Sequence, residues 1–192
     1  MSQLCQLSDV KTYLGITDSN SDAVLTTLIG NVSTAIESFC NRVFAQASYS
    51  ENRNGGCGQK MFLYQGPVTS VTSVTVNGQS VPQAPDQVSY GFVWDDTTVY
   101  IRPGQGGGGG GPQEFYKGIQ NVTVDYTAGY ASVPPDVNQA CVLWVATLYA
   151  KRSRVDKRSE TLGQQQTQAY DMSAMPAAVQ SMLQSYQRWG PR

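Results

Sequence analysis

The chain has 192 residues, with 13 Lys and Arg against 14 Asp and Glu and a formal net charge of −1 at pH 7. Only 14% of its residues are charged, against about 25% in an average soluble domain, so either part of its surface is covered in an assembly or that surface is polar without charge. Four cysteines with no Cys-x-x-Cys pair, and no histidine, exclude the usual zinc sites and any Ser-His-Asp or Cys-His catalytic set.

In chain order, Ser8 predicts the cap of a short helix over 8–14, closed by Gly15. Ile16 to Asn20 reads as a turn, and Ser21 or Asp22 opens a long helix over 22–42, about 30 Å at 1.5 Å per residue. Leu25, Leu28, Ile29, Val32, Ile36, Phe39 and Cys40 recur at spacings of three and four and form one apolar stripe. Gly30 lies near the middle of this helix and weakens it by about 1 kcal/mol relative to Ala. It is either a tolerated defect or the mark of a closely packed neighbour.

From 47 to 127 the pattern becomes that of strands, expected at 47–52, 61–64, 68–76, 79–81, 88–94, 97–102 and 121–127. Val68, Ser70, Thr72, Val74 and Val76 are expected to share a face, and Asn77-Gly78 is a strong hairpin signal. Asp95-Asp96 suit a turn. Six consecutive glycines, including Gly106, Gly108 and Gly111, predict a flexible tip. No Gly-Lys-Ser/Thr and no helix start follows, which excludes a phosphate-cradling loop. A tolerated insertion and a tip that orders on a partner both stay open.

Pro134-Pro135 sets the start of a helix over 136–154, with Asp136 in its first turn. Val137, Ala140, Cys141, Trp144, Val145, Leu148 and Tyr149 form one stripe, and Leu143, Ala146 and Ala150 a second. A helix apolar on both faces has to be buried on both, in a large core or against another subunit. Leu143, Trp144, Ala146 and Ala150, with Gly30, are therefore subunit-interface candidates. The basic cluster Lys151, Arg152, Arg154, Lys157 and Arg158 complements the helix end, a role that needs only one or two of them. It has no interleaved aromatics, so it is a contact or a solvated helix end rather than a nucleic-acid reader.

Thr161 to Ala174 is Gln-rich and reads as an extended linker. Met175-Pro176 starts a last short helix with Val179, Met182, Leu183 and Tyr186 as its stripe, and Gln187 to Arg192 forms a tail. Trp189 in that tail is either an anchor for a partner or folds back on its own domain. Charge divides unevenly: residues 1–150 carry 6 basic and 11 acidic side chains, residues 151–192 carry 7 and 3. The fold class is α+β: a small helical bundle with a mostly antiparallel β insertion, 47–127, between its two main helices. The expected organisation is a core over 1–160, then linker, helix and tail over 161–192.

Cys40 and Cys141 fall on apolar helical faces as reduced core thiols, and Cys57 in a Gly-rich loop is expected to be exposed. No basic segment followed by an apolar run opens the chain, and no apolar run reaches the roughly 18 residues of a membrane span. The expectation is a cytoplasmic, reducing origin, with no membrane contact. A carboxylate pair such as Glu51 with Asp125 would be needed for acid–base sugar hydrolysis, and nothing in the sequence favours that pairing. No catalytic residue, cofactor or metal ligand is expected.

Several passages resemble one family. They are Leu7-Ser-Asp-Val-Lys-Thr-Tyr-Leu-Gly-Ile16, Asp22 ahead of Leu25-Thr-Thr-Leu-Ile29, and Ala35-Ile-Glu-Ser-Phe39 with Asn41-Arg42 and Phe44. Leu63-Tyr-Gln-Gly-Pro67-Val-Thr-Ser-Val71, Tyr126-Thr-Ala-Gly-Tyr130, Val133-Pro-Pro-Asp136 and Met175-Pro176 with Val179, Leu183 and Tyr186 continue the likeness. In this order they resemble tailed-bacteriophage head–tail connector (adaptor, head-completion) proteins over nearly the whole chain. The resemblance implies a structural virion protein of the neck, assembled in the host cytoplasm. It implies a ring of copies, typically dodecameric, beneath the portal protein, which extends the DNA channel and carries a stopper or tail protein. Packaged DNA would pass through without sequence-specific binding. Lys151, Arg152, Arg154, Tyr186, Arg188 and Trp189 become portal-docking candidates. A stopper or tail-completion protein is the alternative, and a virion-associated peptidoglycan hydrolase a further one, with no catalytic motif to carry over.

Overall fold

The computed structural model describes residues 3–104, 110–152, 159–162, 166–169 and 175–188. In chain order its elements are α1 (Leu7–Leu14), α2 (Asp22–Cys40), β1 (Ala47–Gly55), β2 (Lys60–Phe62), β3 (Val68–Val76), β4 (Gln79–Val81) and β5 (Gly91–Trp94). There follow β6 (Thr98–Arg102), β7 (Gly118–Ala128), α3 (Pro135–Lys151), β8 (Ser159–Leu162), β9 (Gln166–Ala169) and α4 (Ala177–Leu183). The chain divides into two units: a helical one from Met1–Phe44 and Val133–Pro191, and a β unit built on Ala45–Ser132.

In the helical unit α1 begins earlier than Ser8 suggests. Gln6 is the N-cap, and the Asp9 carboxylate accepts the Gln6 N–H at 3.4 Å, so an acidic N3 residue satisfies a donor the helix leaves open. Gly15 closes α1 at φ 68, a left-handed conformation that costs glycine nothing. Asn41, at φ 51, closes α2 and stops it short of Arg42. Leu25, Ile29, Val32, Ile36 and Cys40 of α2 are buried, as their spacing requires.

By length and composition α2 is apolar enough to cross a membrane, contrary to the expectation from the sequence. Its stripe, however, is spent on the bundle, since α2 packs on both α1 and α3. α3 in turn meets α1, α2 and α4. Val137, Ala140, Cys141, Val142, Trp144, Val145 and Ala146 are all buried within the single chain. The breadth of the apolar surface of α3 is thus explained largely by helices of its own unit. The Gln-rich stretch expected as a linker holds β8 and β9, paired antiparallel from Ser159 opposite Ala169 to Leu162 opposite Gln166.

The β unit has a four-stranded sheet in the order β1-β7-β3-β4 and a three-stranded sheet in the order β2-β6-β5, with every named pair antiparallel. β7 is the spine. Val122, Val124, Tyr126 and Ala128 point into a core that also takes Val71, Val74, Val76, Phe92, Val99, Ile101 and Phe115. β3 does not keep simple alternation: its buried residues are Val68, Val71, Val74 and Val76, because register shifts against β7 fall between Val68 and Ser70 and between Val71 and Ser73. Each shift moves the following residues to the other face. Asn77 and Gly78, both at positive φ, make the β3–β4 turn as predicted. Entry to and exit from the unit lie side by side, with Ala45 bridged in parallel to Tyr130. Beside that bridge Gly129 has φ 115, and a Cβ there would lie 2.5 Å from the Ala45 carbonyl oxygen.

Candidate interaction surfaces

The predicted interface residues separate once placed. Trp144, at 7% exposure, and Ala146, at 6%, lie inside the single chain and have little surface left for a sister copy. Leu143 is half-buried and Ala150 exposed, and these two mark the part of α3 that other helices leave uncovered. Gly30 is half-buried, and a Cβ added there meets nothing within 4 Å. Among the described residues, close packing is therefore not the reason for a glycine at that position.

The docking candidates are partly engaged at home. The Arg152 guanidinium stacks over the Tyr149 ring at 3.7 Å, and the Tyr149 hydroxyl bonds Ser21 Oγ at 2.6 Å. The Ser21 bond, then the Arg152 charge nearby, hold the Tyr149 hydroxyl below the usual phenol range. Lys151 is half-buried at the last turn of α3. After α4 a 3₁₀ turn, Gln184–Tyr186, sets the Tyr186 ring edge-on to Phe44 at 5.9 Å. The Arg188 N–H then donates to the Cys40 carbonyl at 3.0 Å, at the end of α2. Tyr186 and Arg188 are thus seated on their own unit. Arg154, Trp189, Gly106 and Gly108 lie outside the described residues; Gly111 lies near the Tyr90 hydroxyl, 2.5 Å from where its Cβ would sit.

A shallow groove of about 320 Å3 runs between α1 and α3, lined by Asp9, Thr12, Tyr13, Asn138, Gln139 and Val142. Tyr13 stands 54% exposed at its rim. The β unit presents Phe62, Tyr64, Val88, Tyr116 and Ile119, the last 87% exposed. None of these was singled out from the sequence, because an exposed apolar residue in a strand-rich segment has the same local pattern as a buried one.

A dense polar cluster in the β unit is centred on Glu51. Glu51 receives the Tyr126 hydroxyl and the Tyr64 N–H, the latter at 3.0 and 3.3 Å to its two oxygens. Arg53 lies 3.5 Å from the same carboxylate and stacks on the Tyr64 ring at 3.7 Å. Burial, then the Glu51 bond, push the Tyr126 hydroxyl far above the phenol range. The cluster locks segment 64–65 to β1 through Glu51 and to β7 through Tyr126, whose oxygen accepts the Gln65 N–H at 3.1 Å. It cannot serve with Asp125 as an acid–base pair. In the register Asp125 is opposite Ser50 and Glu51 opposite Val124, which puts the two carboxylates on opposite faces of the sheet. Asp125 is bound instead by Ser50 and Ser73, which hold it below the usual carboxylate range. Asp95 caps its own turn, accepting from the Thr97 and Thr98 N–H groups and the Tyr100 hydroxyl. Among the described residues no three of Asp, Glu, Cys and His converge as metal ligands.

A search of curated proteins found no match. The fold is similar to that of a chain in the neck of the empty gene transfer agent (GTA) particle computed with C6 symmetry. Identity there is 19%, the TM-score 0.59, and the likeness covers 98% of this chain and 92% of that one. A chain from the neck of the native particle computed with C12 symmetry gives 19% identity and a TM-score of 0.56, covering 97% and 90%. One from the virion of the native particle gives 19% and 0.58, covering 98% and 92%. The model of a family described as head completion protein matches residues 3–189, and the chain belongs to that family.

Proposed function

We propose that this chain is a structural protein of the neck of a tailed-phage-like particle, and within the neck the adaptor: a ring of copies seated beneath the portal protein, which prolongs the DNA channel and receives a stopper or tail protein. The reading rests on one observation above the others, membership of the head completion family from residue 3 to residue 189. The likeness to neck chains of particles computed with six- and twelve-fold symmetry supports a ring. A ring requires that one face of a subunit meet a different face of the next. The exposed end of α3 at Ala150 and the open side of α2 at Gly30 supply two such faces. The acidic balance of residues 1–150 suits a channel wall along which DNA slides without sticking. The role is structural rather than catalytic.

Portal docking is assigned to the basic end of α3 and to the chain after Arg188. Because Tyr186 and Arg188 are seated on the Phe44–Cys40 region, the informative truncation begins at Trp189. Removing 189–192, together with Lys151→Ala and Arg152→Ala, is expected to weaken portal binding at least about tenfold, equivalent to about 1.4 kcal/mol, with unchanged circular dichroism. The deciding experiment is electron microscopy of the neck with this chain placed in it. A ring in contact with the portal establishes the adaptor, contact with tail proteins alone makes it a tail-completion protein, and absence from the neck removes the reading.

A further inference from the structure

Leu4 and Cys5, ahead of α1, are buried, and Cys5 meets Cys141 of α3 with the two Sγ atoms 3.0 Å apart. Both are free thiols, 2% and 0% exposed. The separation is about 1 Å longer than a disulfide bond. The segment is pinned from two helices. The Leu4 N–H donates to Ser33 Oγ of α2 at 3.1 Å, and Asn138 Nδ2 of α3 donates to the Leu4 carbonyl at 3.3 Å. Ser33 Oγ also lies 3.9 Å from Cys141 Sγ. The other two cysteines differ: Cys57 is exposed, and Cys40 has the Leu183 carbonyl, not sulfur, 4.0 Å away.

We propose that Cys5 and Cys141 are a disulfide-forming pair, reduced during assembly in the host and joined once the particle meets an oxidising exterior, so that the N-terminal segment is locked covalently to α3. The timing rests on the neck reading above; the bond does not. Ser33 Oγ, which accepts from the Leu4 N–H and keeps its own proton to give, lies 3.9 Å from Cys141 Sγ and favours a thiolate there, so the step is written with Cys141 as the attacking sulfur; hydrogen bonding by Cys5 acts on Cys141 in the same direction. With a hydroperoxide as oxidant, the Cys141 thiolate attacks one peroxide oxygen, the O–O bond breaks, and Cys141 becomes a sulfenic acid as the departing hydroxide takes a proton. The Cys5 sulfur then attacks Cys141 Sγ, the S–S bond forms, the S–O bond breaks, and the Cys5 proton leaves with the second water. Two thiols lose two electrons and two protons, and hydrogen peroxide becomes two waters.

The test uses the full chain, treated with hydrogen peroxide, then quenched with an alkylating reagent in denaturant so that buried thiols react, and mapped by non-reducing peptide mass spectrometry. The expected result is loss of two hydrogens with the Cys5 and Cys141 peptides linked, reversed by dithiothreitol. The melting temperature of the oxidised form should rise by about 5 °C or more, because the bond closes a loop of more than a hundred residues. Cys141→Ser abolishes both effects, and Cys57→Ser leaves both. Alkylation of Cys5 and Cys141 after a treatment that oxidises the exposed Cys57 overturns the proposal, as does a link through Cys40 or Cys57; neither outcome touches the neck reading. In purified particles, a linked pair against free thiols in the assembling cell supports the timing, and free thiols in both reject it.

Discussion

The helical and β units solve burial in different ways. In the helical unit each helix presents a stripe, and the stripes meet around α3, so a residue's fate follows from its spacing along one helix. In the β unit it depends on which residue of another strand lies opposite, and the double register shift of β3 against β7 shows how far that departs from local pattern. Helical burial is thus written locally, and strand burial is written in pairs.

The sharpest way to break this comparison is to damage each core separately. Ile36→Ala, at a position with no exposure, is expected to lose about 3–4 kcal/mol. Val124→Ala on β7, also fully buried, should lose about 2 kcal/mol. Chemical denaturation of both variants, followed by tryptophan fluorescence, checks the ranking. Because Ile→Ala removes three carbons and Val→Ala two, equal losses would mean that the β core is the less forgiving of a cavity.

Next in size is the polar cluster. Glu51→Gln keeps the shape but replaces an acceptor-only group that binds the Tyr126 hydroxyl, the Tyr64 N–H and Arg53. A loss of about 2 kcal/mol is expected, with Tyr126→Phe costing less: it removes one donor to Glu51 and the acceptor of the Gln65 N–H but leaves the carboxylate its other partners. Double-mutant analysis of the pair measures their coupling. Additive losses would show that Glu51 acts through Tyr64 and Arg53 alone.

Gly30→Ala should stabilise the isolated chain by about 1 kcal/mol, since a Cβ there is unopposed among the described residues. If the α2 face is a ring contact, the same variant assembles less well on the portal while melting higher. Sedimentation and thermal melting read the two effects separately, and a variant that gains stability with full assembly excludes this face.

The smallest effect is titration. Asp125, held down by Ser50 and then Ser73, has a folded-state pKa below its ordinary value of 3.8. Asp95, held down first by the Thr97 N–H and then by the Tyr100 hydroxyl, is lowered in the same way. A depressed carboxylate contributes stability that is present above the unfolded pKa and lost as pH falls through the folded one. Melting temperature should therefore fall as pH drops below about 4, and Ser50→Ala with Ser73→Ala should flatten that slope.

Much of the fold was legible. Asn77-Gly78 fixed a turn, Leu25 to Cys40 a stripe, and Val122 to Tyr126 a half-buried strand, because each pattern repeats within one element. The β8–β9 hairpin was not legible, since Ser159–Leu162 and Gln166–Ala169 carry no apolar alternation. The thiol pair was missed for a different reason: Cys5 and Cys141 are 136 positions apart, and only the adjacent Leu4-Cys5 hinted at a buried start. The breadth of apolar surface around Trp144 suggests a second copy from sequence alone, whereas α1, α2 and α4 already supply cover on several sides of α3.

The Ala45–Tyr130 bridge has a consequence for how such chains diversify. Both crossing points of the inserted sheets sit at one spot, so the segment between them behaves as a cassette. Cutting at that spot and splicing the ends with a few glycines leaves α2 to run on to α3. Such a graft point lets genes exchange the inserted module without redesigning the helical bundle.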